Sequence, residues 1–230
     1  MQAGADVESV QRFDDEAAGR IEKEMETNET QQCPQRGRPR EFDVDCALDS
    51  ALKVFWQKGY EGTSLTDLTE AMGITRPSLY AAFGSKEELF HKVLDRYAAG
   101  PAAFVREALT ASNAREVAAN LLTGTVDLLT CPHNPHGCLM VQAALSSGDN
   151  AERVKEELAS YRVARETAIR RRLEQARDDG DLPADSRPAD LARYIAVIMQ
   201  GLAVEAANGA TRAELLRAVD IALSSWPGSA

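Results

Sequence analysis

The residues best suited to chemistry in this sequence lie on one short segment. Arg76 and Tyr80 are four residues apart, so they share one face if the segment is helical. Leu79 and Phe83 have the same spacing and define an apolar face on the other side. Arginine can form a forked pair of hydrogen bonds with guanine O6 and N7 or contact a phosphate, and tyrosine offers a hydroxyl on a rigid ring. These residue types indicate a surface that contacts nucleic acid.

Two short helices must position this face. Ser64 and Asp67 have the spacing of a capping box ahead of the first helix, and Gly73 ends it. Thr75 can cap the second helix, and Pro77 is tolerated in its first turn. Two short helices joined by a tight turn are typical of a helix-turn-helix, whose second helix enters the major groove of DNA.

The flanking sequence is helical as well. An apolar stripe predicts a helix from Phe42 to Lys58, ended by Gly59, and a capping box of Ser85 and Glu88 begins a helix that lasts until Gly100. No later window alternates with period two, so we expect only helices beyond it. The predicted fold class is all-α, with an N-terminal helix-turn-helix domain followed by a larger helical domain. The predicted later helices lie near 102–110, 114–130, 138–147, 151–178, 188–208 and 212–225.

The stretch GYEGTSLTDLTEAMGITRPSLYAAFGSKEELF resembles the DNA-binding domain of the TetR/AcrR family of bacterial repressors, over about residues 42–97. One departure is Ala81-Ala82, where many family members carry an aromatic residue or a histidine. The resemblance implies that Ser64 and Thr66 contact the DNA backbone or groove edge. It implies that the bases are contacted by Thr75, Arg76, Pro77 and Ser78. It also implies that Tyr80 and Lys86 contact the phosphates.

The chain divides into three predicted regions, 1–35, 36–97 and 98–230. Residues 1–35 hold three basic and nine acidic side chains and too little apolar surface to fold alone, so we expect a disordered acidic arm. Residues 36–97 form the predicted DNA-binding domain. Residues 98–230 form the predicted ligand-binding and dimerisation domain, as the resemblance implies.

Apolar residues of the later helices provide two further sets of candidates. A ligand pocket between the helices could be lined by Leu121, Leu122, Val126, Leu139, Met140, Val141, Tyr161, Tyr194 and Met199. The last two helices carry apolar faces that a two-fold four-helix packing would bury, with Met199, Leu202, Ala203, Ala206, Leu216, Val219 and Leu223 as the predicted dimer interface.

Two cysteines and two histidines fall close together at Cys131, His133, His136 and Cys138. Such residues can bind zinc, but two prolines stiffen the segment and the spacing matches no standard zinc knuckle, so we predict no metal and no cofactor. Cys138 begins a predicted helix, where the helix dipole favours a thiolate. A reactive thiol and a buried small side chain both remain open for it.

The composition narrows the class of protein. The chain of 230 residues has a formal net charge of −10, no apolar run long enough for a membrane span and no signal peptide pattern, so we expect a cytoplasmic protein. No phosphate-binding loop, dinucleotide fingerprint or hydrolase elbow appears, so we expect no enzyme. The leading prediction is a repressor that binds a palindromic operator on double-stranded DNA as a homodimer and is released by a small-molecule effector. The alternatives are a repressor that senses oxidants or electrophiles through Cys138, and an all-α ligand-binding adaptor without DNA binding.

Overall fold

The computed structural model of this chain describes residues 42–146 and 152–227, and every regular element in these ranges is an α-helix. The all-α prediction is therefore confirmed. The helices are α1 Val44–Gly62, α2 Leu65–Met72, α3 Arg76–Phe83, α4 Lys86–Ala99, α5 Phe104–Ala108, α6 Ala114–Thr130, α7 Leu139–Ser146, α8 Glu152–Asp178, α9 Pro188–Ala207 and α10 Arg212–Ser224. Within these ranges, no helix is long and apolar enough to cross a membrane.

The helix ends follow from local sequence signals. Ser64 and Ser85 each accept a hydrogen bond from the backbone three residues on, and the predicted capping boxes with Asp67 and Glu88 are both present. Gly59 has φ 69° and interrupts α1 directly after Lys58, where the sequence predicted the helix end. Gly73 has φ 64° and ends α2 in the left-handed conformation that favours glycine.

The later helices also lie close to their predicted positions. Helix α6 begins after Asn113, whose side chain caps it. Helix α5 is the shortest of the described helices; Ala103 provides no side-chain cap for it, and turns flank it.

The packing places α1 at the centre of the N-terminal half. Helix α1 contacts α2, α4 and α7, while α9 packs against α6 and α8, and α10 against α6. Trp56 of α1 is buried, lies edge-on to Tyr97 of α4 with ring centroids 4.9 Å apart, and donates a hydrogen bond of 2.8 Å to the carbonyl of Gly137. The described helices thus belong to one compact unit.

The predicted boundary at residue 97 falls inside α4. The division into 36–97 and 98–230 therefore stays a prediction about function. The acidic arm of residues 1–35 lies outside the described residues.

Candidate functional site

Helices α2 and α3 form a helix-turn-helix around Gly73, Ile74 and Thr75. Thr75 caps α3 by accepting a hydrogen bond from the backbone N–H of Ser78. Leu79 and Phe83 are buried and hold α3 against the rest of the chain. The opposite face of α3 is consequently turned to solvent.

The exposed face of α3 carries the residues that the sequence singled out. Arg76 and Pro77 are exposed, Tyr80 is 50% exposed, and Ser78 is half-buried. A guanidinium nitrogen of Arg76 donates a hydrogen bond of 2.9 Å to the hydroxyl of Thr66 on α2. This contact joins the two helices on one side and holds the guanidinium ready at the surface.

The start of α2 is held by a charge-assisted cap. The carboxylate of Asp67 accepts hydrogen bonds from the ammonium of Lys58 at 2.6 Å and from the backbone N–H of Ser64 at 2.8 Å. Lys58 and Ser64 together hold the pKa of the Asp67 carboxyl well below its usual range. The Asp67 carboxylate thus fixes Ser64 at the N-terminal end of α2.

Lys86 lies at the start of α4 and is half-buried. Its ammonium group sits 4.4 Å from the centre of the Tyr60 ring, a cation–π arrangement. Burial lowers the pKa of Lys86, and the charges of Glu61 and Asp67 oppose that shift. The lysine is therefore oriented by an aromatic ring before any partner binds.

A cavity of about 410 Å³ lies among α4, α5, α6, α8 and α9 and the start of α7. Its wall is mainly apolar, with Phe104 among the largest side chains. The ring of Phe104 lies so close to Gly124 of α6 that a Cβ at that position would overlap it. A glycine is thus what allows this part of the wall to form.

Three polar side chains meet at one end of the cavity. The hydroxyl of Tyr97 and the sulfur of Cys138 are 3.3 Å apart, and Arg165 of α8 lines the same wall. Burial raises the pKa of Tyr97 well above its usual range, so its hydroxyl keeps its proton and can donate. Burial lowers the pKa of Arg165 from its ordinary value, although Cys138 and Tyr97 counteract this.

Comparison with known proteins decides the family. Residues 47–93 match the family "Bacterial regulatory proteins, tetR family", and residues 115–221 match "Tetracyclin repressor-like, C-terminal domain". The HTH-type transcriptional repressor ComR of Escherichia coli strain K12 is 35% identical over 194 residues, which are 84% of this chain and 92% of ComR. The chain belongs to the TetR family.

Solved structures of TetR family regulators have the same fold. A CifR cysteine mutant complexed with 26 bp double-strand operator DNA is 45% identical to this chain with a TM-score of 0.79, over 83% of this chain and all of that one. A protein from Rhodococcus sp. RHA1, described as a putative TetR transcriptional regulator, is 44% identical with a TM-score of 0.56, over 80% of this chain and all of that one. TetR family members are transcriptional regulators.

The predicted pocket residues of this TetR family chain fall into three groups. Met140, Val141, Tyr161 and Met199 line the cavity. Tyr194 instead lies on the surface of α9, 38% exposed, and donates a hydrogen bond to the carbonyl of Ala222. The remaining predicted pocket residues are fully buried in the helical core and do not line the cavity: Leu121, Leu122, Val126 and Leu139.

Sequence reasoning missed part of the cavity wall. The residues that line the cavity but were not singled out from the sequence include Tyr97, Phe104, Thr125 and Gln200. Arg165 was missed as well. Its spacing from Tyr161 and Ala168, four and three residues away on α8, is the signal that could have found it, because all three line the same cavity.

The residues predicted for the dimer interface point largely inward. Five of them are buried in the chain's own core, and Leu216 and Leu223 pack partly against it. The apolar residues that these two helices do expose are not among the predicted ones. Val197 is 57% and Ile221 72% exposed, and Val204 is less exposed. The five predicted interface residues that are buried in the chain's own core are Met199, Leu202, Ala203, Ala206 and Val219.

Contacts between α4 and α8 link the two matched regions of this TetR family chain. The hydroxyl of Tyr161 donates a hydrogen bond to Asp95, and Glu157 pairs with His91. Desolvation on burial is the main reason that the pKa of Tyr161 lies above its usual range, with Asp95 adding to it. Because Asp95 and Tyr161 also line the cavity, its mouth is built from the helix that follows the helix-turn-helix.

No group of three or more metal-binding side chains comes together in the described ranges. Cys131 and Cys138 are both half-buried and carry no disulfide. The segment before α7 contacts α1 through its backbone, since the Gly137 carbonyl accepts the hydrogen bond from Trp56.

Proposed function

We propose that this chain is a transcriptional repressor that binds a palindromic operator as a homodimer and releases it when a small molecule enters the cavity. The observation that carries the proposal is the exposed face of α3, which presents Arg76 and Tyr80 while Leu79 and Phe83 are buried. A recognition helix in the major groove needs one face that packs on the protein and an opposite face that is free to contact DNA. The operator complex of CifR supports the same use of the fold in a relative.

The proposed DNA contacts follow the predicted roles. Arg76 reads bases, with Thr75, Pro77 and Ser78 beside it at the exposed start of α3. Tyr80 and Lys86 contact phosphates. Ser64 and Thr66 contact the backbone or groove edge from the start of α2.

The proposed homodimer forms through α9 and α10, and dimers are typical of this family. The exposed residues Val197, Val204 and Ile221 provide its apolar surface. Two-fold symmetry then places two copies of α3 about 34 to 36 Å apart, one turn of DNA, as a palindromic site requires. A regulator of this kind works in the cytoplasm, where bacterial DNA lies.

Release follows from the contacts at the cavity mouth. An effector that displaces Tyr161 breaks its hydrogen bond to Asp95, one of the contacts that join α4 to α8, and so loosens this pair of helices. Helix α4 follows α3 after Gly84 and Ser85, so a shift of α4 changes the spacing of the recognition helices. The effector must bind the shifted state more tightly, because equal affinity for both states would shift nothing.

The test begins with selection of genomic fragments by the purified full-length chain, followed by binding assays on the selected site. Arg76→Ala should weaken operator binding by about 1–3 kcal/mol and relax base preference at one position. It should change the melting temperature little, because the side chain is exposed and its loss removes only one exposed hydrogen bond, to Thr66. Arg171→Ala, an exposed arginine on α8, is the matched control and should bind normally. A chain that selects no fragment would instead be a ligand-binding adaptor.

A second candidate trigger is the thiol of Cys138, favoured by its place on the cavity wall beside the Tyr97 hydroxyl and Arg165. Alkylation or oxidation of the sulfur would place new atoms inside the cavity. Under this proposal, an electrophile such as N-ethylmaleimide releases the operator from the wild-type protein and from Cys131→Ser, but not from Cys138→Ser. Release that persists in Cys138→Ser excludes the thiol as the trigger.

A further inference from the structure

One wall of the cavity carries Arg165, a half-buried arginine that pairs with no carboxylate among the described residues. The Nε atom of Arg165 is buried and makes no hydrogen bond, and no ion pair joins its guanidinium to any described carboxylate. The nearby acids are engaged elsewhere. Glu166 pairs with Arg193 at 2.8 Å, and Asp95 accepts the hydrogen bond from Tyr161.

A guanidinium whose Nε is buried without a hydrogen bond is costly to the folded chain. Removing a cation from water disfavours it unless a counter-charge and hydrogen bonds replace the lost solvation. The lowered pKa of Arg165, caused by its burial, reflects this cost. A group that enters the cavity from outside can supply the counter-charge.

The other residues of the cavity wall indicate the chemistry and size of the rest of the ligand. Most of the surface around Arg165 is apolar, from Phe104, Leu129, Met140 and Met199 among others. A volume of about 410 Å³ falls in the range of small-molecule sites. The exposed residues Ala164 and Gln200 also line the cavity, so it opens to solvent.

We propose that this cavity takes an effector with an apolar body and a carboxylate, whose two oxygens pair with the guanidinium of Arg165. The fork of an arginine matches a carboxylate through two parallel hydrogen bonds. The protonated hydroxyl of Tyr97 lies at the same end of the cavity and can add a third donor. The apolar wall then covers the body of the acid. This inference rests on the proposed function, since it names the chemical class of the effector.

The binding test compares acids with neutral partners that have the same body. Calorimetric titration of the full-length protein uses hexanoate with hexanol, decanoate with decanol, and phenylbutyrate with phenylbutanol. At least one acid should bind about ten- to a hundred-fold more tightly than its alcohol, the range for a hydrogen bond to a charged group. If no acid exceeds its alcohol, the proposal is wrong.

Variants of Arg165 assign the preference to this residue. Arg165→Met should remove the preference for the acid and leave alcohol binding unchanged, while Arg171→Met, exposed on the same helix, should keep it. The melting temperature of ligand-free Arg165→Met should stay equal or rise, because a half-buried charge with an unsatisfied Nε is removed. Arg165→Gln keeps a polar side chain without the charge and should lose the preference as well. A preference for acids that survives in either folded variant overturns the assignment.

Two further measurements distinguish a carboxylate partner of Arg165 from a thiolate partner and from a neutral effector. Cys138→Ser should keep the preference for acids, and a preference that vanishes there would mean that the cysteine, not a carboxylate, is the partner of Arg165. On the selected operator, release by alcohols as efficient as release by acids would overturn the carboxylate and leave the repressor proposal standing. If acids bind but release no operator, the proposed effector-controlled repressor is wrong, whereas the carboxylate site at Arg165 stands.

Discussion

Ile221→Lys tests the proposed pairing of the last two helices. Ile221 is 72% exposed in the single chain, so most of its side chain is available for burial by a second copy. Full burial of an isoleucine is worth about 1.5–3 kcal/mol, and the exposed share of this residue therefore corresponds to roughly 1–2 kcal/mol. In a two-fold interface each substitution occurs twice, which gives about 2–4 kcal/mol, or roughly 30- to 1,000-fold in the dimer dissociation constant.

The measurement is sedimentation velocity over a range of protein concentrations. Ile221→Lys should move the monomer–dimer midpoint upward by that factor and weaken operator binding at low protein concentration, because a palindromic site needs both copies. Its circular dichroism and melting behaviour at high concentration should still report a folded helical chain, since no core side chain is touched.

The control is Val163→Lys on α8, which changes an apolar residue of similar exposure, 64%, outside α9 and α10. It should leave the midpoint unchanged. A wild-type midpoint for Ile221→Lys, or an equal shift for both variants, would refute the placement of the interface. Leu202 is unsuitable for this test, because it is buried in the chain's own core and a charge there would unfold the protein.

Four other outcomes are expected. Lys86→Ala should weaken specific and random DNA alike and reduce the dependence of affinity on salt by about one counterion, measured by binding titrations at several ionic strengths. Gly84→Ala should lower the free energy of unfolding by about 1–3 kcal/mol in denaturant titrations, since φ is 78° and a Cβ would overlap the Glu88 carboxylate, whereas Gly62→Ala should cost far less. Because the folded-state pKa of Asp67 is lowered, its contribution to stability is present above the ordinary carboxyl pKa of 3.8 and lost as the pH falls below it, so Asp67→Asn should flatten acid unfolding curves. Deletion of residues 1–24 should keep the melting temperature and tighten DNA binding, and a large drop in melting temperature would contradict the prediction of a free acidic arm.

The elements that the sequence predicted well depend on residues close together in the chain. A capping box needs only Ser85 and Glu88, three positions apart, and the left-handed conformation of Gly73 is set by the end of one helix. The exposed face of α3 is equally local, since Leu79 and Phe83 fix which side is buried. Local signals of this kind predicted most helix ends to within two residues of their positions in the structure.

The sequence alone does not separate the buried from the exposed side of α9, for a physical reason. Residues 195–199 are all apolar, so helical periodicity gives no single buried face. The fold buries Met199 and Leu202 and leaves Val197 outside. Only the positions of α6 and α8, which pack on α9, decide between these sides.

Arg165 shows where the limit lies for the candidate site. Its spacing on α8 places it on the same stripe as Tyr161, and a charge on such a stripe can be detected in the sequence. Whether that charge is neutralised cannot be read there, because Glu166 is adjacent in the chain yet pairs with Arg193, 27 positions away on α9. An unpaired cation is a property of the packed helices, and the effector chemistry that we derive from it therefore becomes visible only in the fold.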